Sequence, residues 1–370
     1  MELADLDLLK TQVLWAAFVV SVLFGVIAQR THFCTMGAIS DIVNMGDWTR
    51  MRRWGMAVGV AMLGFAFMVW LGWIDPSKTI YASGRIIWLS ALVGGALFGF
   101  GMVLASGCGS KTLVRVGGGS LKSLVVFVVM GVASFATLRG VTAVLRNDTV
   151  DKVAFELAPG SGLPQLLAAG TGWSVPSVTL WLSLAVGGAL VLWALVGEGF
   201  RRVDNLIAGL GIGATVAGMW WVSGRLGFVA EHPETLEAVY LASNSGRMES
   251  LTFTAPMAYA LDWLMFFSDR SKVLTLGVVS VAGVVAGAFA YALVTRSFRW
   301  EGFRDTRDTA LHLVGAVCMG VGGVTAMGCT VGQGLSGLST LSLTSVIAVT
   351  GIVAGALAGF RIQLWLLERD

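Results

Sequence analysis

The chain has 370 residues and a formal net charge of +3, yet only 13% of its residues are charged and 56% are hydrophobic, giving a mean hydropathy of +0.79. Soluble domains carry roughly 25% charged residues, so this composition excludes an ordinary soluble domain. The small, dispersed charge likewise leaves no footprint for nucleic acid.

Length alone would imply two or three soluble domains, but repeated apolar runs of about 20 residues define one membrane domain, 1–370, instead. At the start of the chain Glu2, Asp5 and Asp7 occupy the place of the basic region of a cleavable signal, so the first apolar segment is expected to stay. Nine spans follow: Val13–Ala28, Gly55–Ile74, Ile87–Ala105, Leu121–Leu145, Val178–Val196, Asn205–Val222, Val273–Thr295, Thr309–Thr325 and Leu341–Leu366. The apolar stretch Ala255–Ser268 is too short to cross and reads as an interfacial or re-entrant helix, with Pro256 near its first turn. Nine spans place the termini on opposite sides. Counting loops, Arg30, Arg50, Arg52, Arg53, Lys111, Arg115, Lys122, Arg201, Arg202, Arg296, Arg299, Arg304, Arg307, Arg361 and Arg369 gather on one side, fifteen of the 25 basic residues. The positive-inside rule makes that side cytoplasmic, with the N-terminus outside.

The chain also repeats itself. Cys329 follows Cys108 by 221 residues, and at that offset Gly99, Gly101, Ala105 and Gly107 align with Gly320, Gly322, Ala326 and Gly328. Cys34 has a looser version, with Gly25 nine residues ahead of it, and its partner in the second half is matched to Trp220–Arg225, which lacks a cysteine. Four spans on either side of the fifth give a first repeat at 13–145, a linking segment with the fifth span at 146–204 and a second repeat at 205–366. Opposite entry sides make the repeats inverted, the layout of secondary transporters whose broken helices meet near the midplane. The expected fold is therefore an all-α polytopic membrane protein with Gly/Cys-rich re-entrant loops meeting near the midplane.

Three segments carry the chemistry: His32–Asp41, Ser106–Arg115 and Met327–Ser336. Irregular backbone at membrane depth is tolerated only where it is buried in protein or lines a cavity. Glycine-rich turns free backbone N–H groups that, with a following half-helix, hold an anion. A neutral thiol adds a polarisable S–H donor. Cys34, Cys108 and Cys329, with Gly107, Gly109, Ser110, Gly328, Thr330 and Gln333, are the candidate path for a small anion with a soft terminal sulphur. Lys111 and Arg115 read equally as positive-inside anchors or as attraction for the ion. Cys318, inside a span, reads as a packing residue. His32 and Cys34 form only part of a metal pair, so no metal or other cofactor is expected. Asp41 is expected to cap a helix or hold its loop. Gly107–Thr112 fails as a phosphate loop because Ser110 stands where glycine is required.

At these motifs the sequence resembles the YeeE/YedE sulphur-transport family of bacterial membrane proteins. The matching residues are Phe33–Thr35, Gly107–Cys108 with Arg115 and Gly117–Gly119, and Gly328–Gly334. The resemblance implies inner-membrane uptake of thiosulfate through an hourglass of inverted repeats, with Cys34, Cys108 and Cys329 relaying the ion by S–H contacts. It also implies a small cytoplasmic sulphur-carrier protein as partner, and admits other sulphur or selenium species. A membrane thiol–disulfide redox protein is the rival from another class, and the absence of a CxxC pair counts against it. Transport without catalysis is the expected activity.

Overall fold

The computed structural model describes residues 3–367 other than Glu234 and Arg270. Met1, Glu2 and Arg369, which enter the reading of the terminus and of loop charge, lie outside the described residues. Nine helical stretches among the described residues are long and apolar enough to cross a membrane, matching the nine expected spans in order.

The first half opens with α1 (Leu3–Thr31), α2 (Thr35–Met45) and α3 (Thr49–Trp70), then α4 (Trp88–Leu104), α5 (Gly109–Gly117) and α6 (Leu121–Arg139). Two shorter helices and the fifth span follow: α7 (Val141–Asp148), α8 (Leu163–Thr171) and α9 (Val175–Val196). The second half begins with α10 (Val203–Leu206), joined through a π-helical stretch, Ile207–Gly211, to α11 (Ile212–Trp221). The remaining helices are α12 (Thr254–Met265), α13 (Leu276–Val294), α14 (Thr306–Thr325) and α15 (Leu343–Leu367), with a π-helical segment Gly332–Gly337 before the last. The expected span Leu121–Leu145 is two helices, because Gly140 adopts an extended backbone between α6 and α7.

Small residues let the spans approach closely, as membrane helices require in the absence of a hydrophobic drive. A methyl group on Gly99 would run into the Ile352 carbonyl, and one on Gly355 into that of Ala96, so α4 and α15 meet backbone to backbone. The packing partners come in matched sets. Helix α4 lies on α15 and α14 on α6; α1 lies on α13 and α3 on α11; α2 touches α15 and α12 touches α6.

The two ends of the bundle differ. At one end long connections are stitched together: strand β1 (Arg85–Ile86) pairs with β2 (Phe155–Glu156), and β3 (Phe228–Val229) with β4 (Val239–Tyr240). There the Ile80 N–H donates to the Met248 carbonyl at 3.1 Å and the Leu163 N–H to the Leu341 carbonyl at 3.0 Å. At the other end the connections are short and basic. Lys122 pairs with Glu301 at 2.6 Å, and Arg53 donates to the Thr31 carbonyl at 2.9 Å. Helix α4 starts at the stitched end, and α5 finishes at the basic end, where the Gly118 carbonyl accepts from Arg299 N at 3.1 Å. The cysteine turn between them thus interrupts a crossing helix rather than forming the expected re-entrant loop.

Candidate functional site

The same turn is built three times. Helix α1 ends, His32 takes φ 51°, and Cys34 precedes α2; α4 ends, Ser106 takes φ 55°, and Cys108 precedes α5; α14 ends, Met327 takes φ 55°, and Cys329 precedes the segment leading to Gly332–Gly337. In each, the residue after the left-handed one closes the finished helix: Phe33 N to Ala28 O at 3.2 Å, Gly107 N to Met102 O at 2.8 Å, and Gly328 N to Gly323 O at 2.8 Å. The cysteine carbonyl then accepts the first bond of the next helix, from Ala38 N, Thr112 N and Gln333 N respectively. Orphan backbone groups at a helix break are satisfied this way without water. Each cysteine side chain is left at a half-helix N-terminus, the positive end of its dipole.

The three turns converge. The Cys34 and Cys108 side chains interact directly, and Cys108 also meets Thr330, the residue after Cys329. Cys108 and Cys329 are fully buried and Cys34 is half-buried. Cys34 Sγ accepts from Gly37 N at 3.4 Å, and Cys329 Sγ from Gly332 N at 3.5 Å. Cys108 Sγ lies 3.3 Å from Ser110 Oγ. A sulphur that accepts an N–H keeps its own S–H for another acceptor. A cavity of about 70 Å³ joins Thr35 to Thr330 beside this file, walled by Trp54, Ile352 and other apolar side chains.

The remaining candidates hold different places. Gly107 is packed under Lys111 and Arg115, and Gly109 against Met130 and Phe253. Arg115 donates to the Ser106 carbonyl at 2.9 Å, so it braces the Cys108 turn. Lys111 is half-buried near both Cys34 and Cys108 and has no carboxylate partner among the described residues. Gln333 is buried with both ends of its amide engaged: Nε2 donates to the Ala326 carbonyl at 2.7 Å and Oε1 accepts from Ser345 at 2.6 Å. It ties the Cys329 turn to α15. Thr330 Oγ1 is buried and has no well-formed hydrogen bond among the described residues. Asp41 pairs with Arg50 at 3.2 Å and holds α2 to α3. Cys318 packs its Cβ onto Gly101 of α4, away from the three turns. Among the described residues no group of three His, Cys, Asp or Glu side chains could hold a metal, and all four cysteines are free thiols.

A fourth half-helix stands where Ala255–Ser268 was expected as an interfacial or re-entrant helix, and not where the repeat placed the counterpart of Cys34. The region Trp220–Arg225, matched to the Cys34 segment, runs on as helix through Leu226 and has no such turn. Instead α12 starts in the interior at Thr254, and the Phe253 N–H reaches the Cys329 sulphur. Thr254 Oγ1 beside it is buried and has no hydrogen-bond partner among the described residues. Pro256 stands in its first turn, as expected, but the closeness of this helix start to Cys329 was not foreseen. Tyr81, from the connection after α3, was missed; its hydroxyl donates to the Gly332 carbonyl at 2.6 Å, clamping the same turn.

A bundle of nine apolar spans with three cysteine-bearing helix breaks in its core defines a multi-pass membrane protein of the transport type. Residues 30–358 match the family model described as sulphur transport, and the chain belongs to that family. It is 27% identical over 322 residues to the thiosulfate transporter TsuA of Escherichia coli K12, covering 85% of this chain and 84% of that protein. It is 26% identical over 353 residues to the thiosulfate transporter TsuA of Spirochaeta thermophila, covering 92% of this chain and 96% of the relative. A shorter stretch of 94 residues, 25% of this chain and 21% of the relative, is 31% identical to the probable transporter YedE of E. coli K12.

Proposed function

We propose that this protein takes up thiosulfate, or a closely related small sulphur-containing anion, across the bacterial inner membrane without chemical change, handing it from Cys329 to Cys108 to Cys34. The observation that carries this reading is Cys108: it touches Cys34 on one side and Thr330, next to Cys329, on the other, at full burial. Two relatives that cover most of the chain bear the name thiosulfate transporter, which supports the substrate.

The chemistry fits a soft, doubly charged ion. Half-helix N-termini supply positive potential without a fixed counter-ion that would trap it. The S–H groups donate to a polarisable terminal sulphur, while the Ser110 and Thr330 hydroxyls and the N-terminus of α12 serve the oxygens. The matched packing of α1–α6 and α11–α15 supports two inverted repeats, with α12 as counterpart of α2 and Phe253 of Cys34. The stitched end faces outward and the basic end inward in this scheme, which puts the N-terminus in the periplasm and the C-terminus in the cytoplasm. A small cytoplasmic sulphur-carrier protein would receive the ion at the basic end. Consumption there would supply the drive, since among the described residues no chain of buried carboxylates crosses the file.

The test is radiolabelled thiosulfate uptake into proteoliposomes holding the purified protein, with sulfate and sulfite as competitors. Saturable uptake that sulfate cannot replace is expected. Failure of a folded protein to carry thiosulfate would end the proposal.

A further inference from the structure

Helix α9, the span between the two halves, turns much of its apolar surface away from the bundle: Trp181, Leu184, Leu192 and Val196 are all exposed. On a crossing helix such side chains lie against lipid. The helix ends in the turn 197–202, where Gly199 takes φ 68°. Trp193, in its last turn, meets Trp48 edge to face with ring centres 6.2 Å apart, and both rings remain partly exposed. Exposed tryptophans beside arginines at a helix end mark the headgroup level of a bilayer.

Three guanidinium groups gather at this turn. Arg52, in the first turn of α3, lies over the Trp193 ring at 5.8 Å. Its Nη1 rests against Gly197, where a methyl group would collide with it. Its Nε is buried and has no hydrogen-bond partner among the described residues. Arg201 and Arg202 are exposed and line a cavity of about 410 Å³ with Glu198, the one carboxylate among the described lining. Arg201 Nε donates to the Leu195 carbonyl at 3.2 Å, which tethers it to the end of α9. None of the three arginines forms an ion pair among the described residues. At the same end of the bundle Arg30, Arg50 and Lys122 are paired with Asp204, Asp41 and Glu301.

We propose that this turn is a binding site for the phosphate of an anionic phospholipid of the phosphatidylglycerol class, with Arg52, Arg201 and Arg202 around the headgroup. A guanidinium takes phosphate oxygens in pairs and can stack on an aromatic face at the same time; Arg52 already has the second contact with Trp193. The exposed apolar face of α9 leads away from the site, so a lipid's acyl chains have a surface to follow that free phosphate does not use. A zwitterionic head carries an ammonium that the guanidinium groups repel, so the site prefers anionic lipid. The bound head joins Arg52 of the first half to the turn leading into the second. The site is independent of the transported ion and of which leaflet the basic end faces.

The experiment is native mass spectrometry of the purified full-length protein in detergent, titrated with phosphatidylglycerol, phosphatidylethanolamine or inorganic phosphate. Melting temperature is measured on the same mixtures, and size exclusion checks that each variant is folded. Wild type should retain phosphatidylglycerol in preference to phosphatidylethanolamine and melt higher with it. Arg201→Gln/Arg202→Gln should bind it about 30-fold more weakly, the loss for two guanidinium contacts to an anionic head, and should lose the rise in melting temperature. Arg201→Lys/Arg202→Lys, which keeps the charge and removes the fork, should lie between. Arg296→Gln/Arg299→Gln, a pair of exposed arginines at the same end, should behave as wild type. Equal retention of the two lipids would overturn the site. An equal loss in the Arg296/Arg299 pair would do the same, by reducing the effect to the general attraction of a basic surface. Stabilisation by inorganic phosphate as large as that by the lipid would assign the turn to a soluble phosphate and overturn the lipid reading.

Discussion

The hydroxyl of Thr330 faces the Cys108 thiol, is buried, and has no well-formed hydrogen bond among the described residues. Leaving such a group unpaired costs about 1–3 kcal/mol, so its retention points to an acceptor that is present only while the ion passes. Thr330→Val keeps the shape and removes the hydroxyl. The variant should be as stable as the wild type or more so, with thiosulfate uptake reduced about 10-fold, roughly one charge-assisted hydrogen bond. Melting in detergent and proteoliposome uptake measure the two arms. Full uptake by the variant would remove Thr330 from the path.

The cysteines should separate cleanly. Cys108→Ala is expected to abolish uptake while reaching the membrane normally, because no other thiol bridges Cys34 and the Cys329 turn. Cys318→Ala should retain most uptake, since Cys318 packs on Gly101 rather than into the file. Uptake by whole cells, normalised to membrane content on a blot, distinguishes them. A dead Cys318→Ala alongside an active Cys108→Ala would reverse the assignment.

Gln333→Leu tests support rather than contact. The substitution leaves the Ala326 carbonyl and the Ser345 hydroxyl buried without their present partners. Loss of those bonds should cost about 2–4 kcal/mol, read as a lower melting temperature and poor yield. An unchanged melting temperature would mean the Cys329 turn does not depend on this brace.

The spans and the Cys108/Cys329 correspondence were legible because both rest on local pattern: apolar runs of crossing length, and Gly-Cys at a fixed offset. What could not be read was long-range pairing. Gln333 looked like a free donor near the path, but its partners Ala326 and Ser345 are fixed only once α14 and α15 pack. Arg115 carries the same charge whether it anchors a loop or braces Ser106, so sequence left both readings open. The fourth half-helix was legible as the short apolar stretch Ala255–Ser268, but its place beside Cys329 was not. Phe253 stands at its N-terminus instead of a cysteine, and the irregular segment before it carries no repeat signal. Tyr81 gave no sign either, because a lone tyrosine in a connection has no periodicity to betray burial.

The outer loop should respond to pH through Glu249. Burial raises its carboxyl above the ordinary range, opposed only in part by the N–H groups of Asn244 and Ser245. A carboxyl raised on folding binds its proton more tightly in the folded state. Its contribution is therefore present below the unfolded value, about 4.3, and is lost as pH rises through the folded value. Wild-type melting temperature should increase as pH falls from 7.5 toward 5.5. Glu249→Gln preserves an acceptor for the loop and removes the titration, so it should melt higher at pH 7.5 with a flatter profile. A variant that melts lower at pH 7.5 would show that the ionised carboxylate is the stabilising form.

Sidedness is the last expectation, and it tests the direction of the whole path. Of the three cysteines in the file only Cys34 has appreciable exposure, while Cys108 and Cys329 are fully buried. Cys34 lies at the basic end with exposed His32 and with Arg50 and Lys111 nearby. Loop charge assigns that end to the cytoplasm. In a Cys318→Ala background, a membrane-impermeant maleimide should leave Cys34 unlabelled in intact spheroplasts and label it in inverted vesicles. From the outer face the reagent first meets a cavity floored by Gly328, so any slow labelling of spheroplasts should map to Cys329. Excess thiosulfate should slow both reactions, since ion and reagent share one narrow route. Rapid labelling of Cys34 in spheroplasts, with none in inverted vesicles, would turn the molecule over. The order Cys329, Cys108, Cys34 would then describe export.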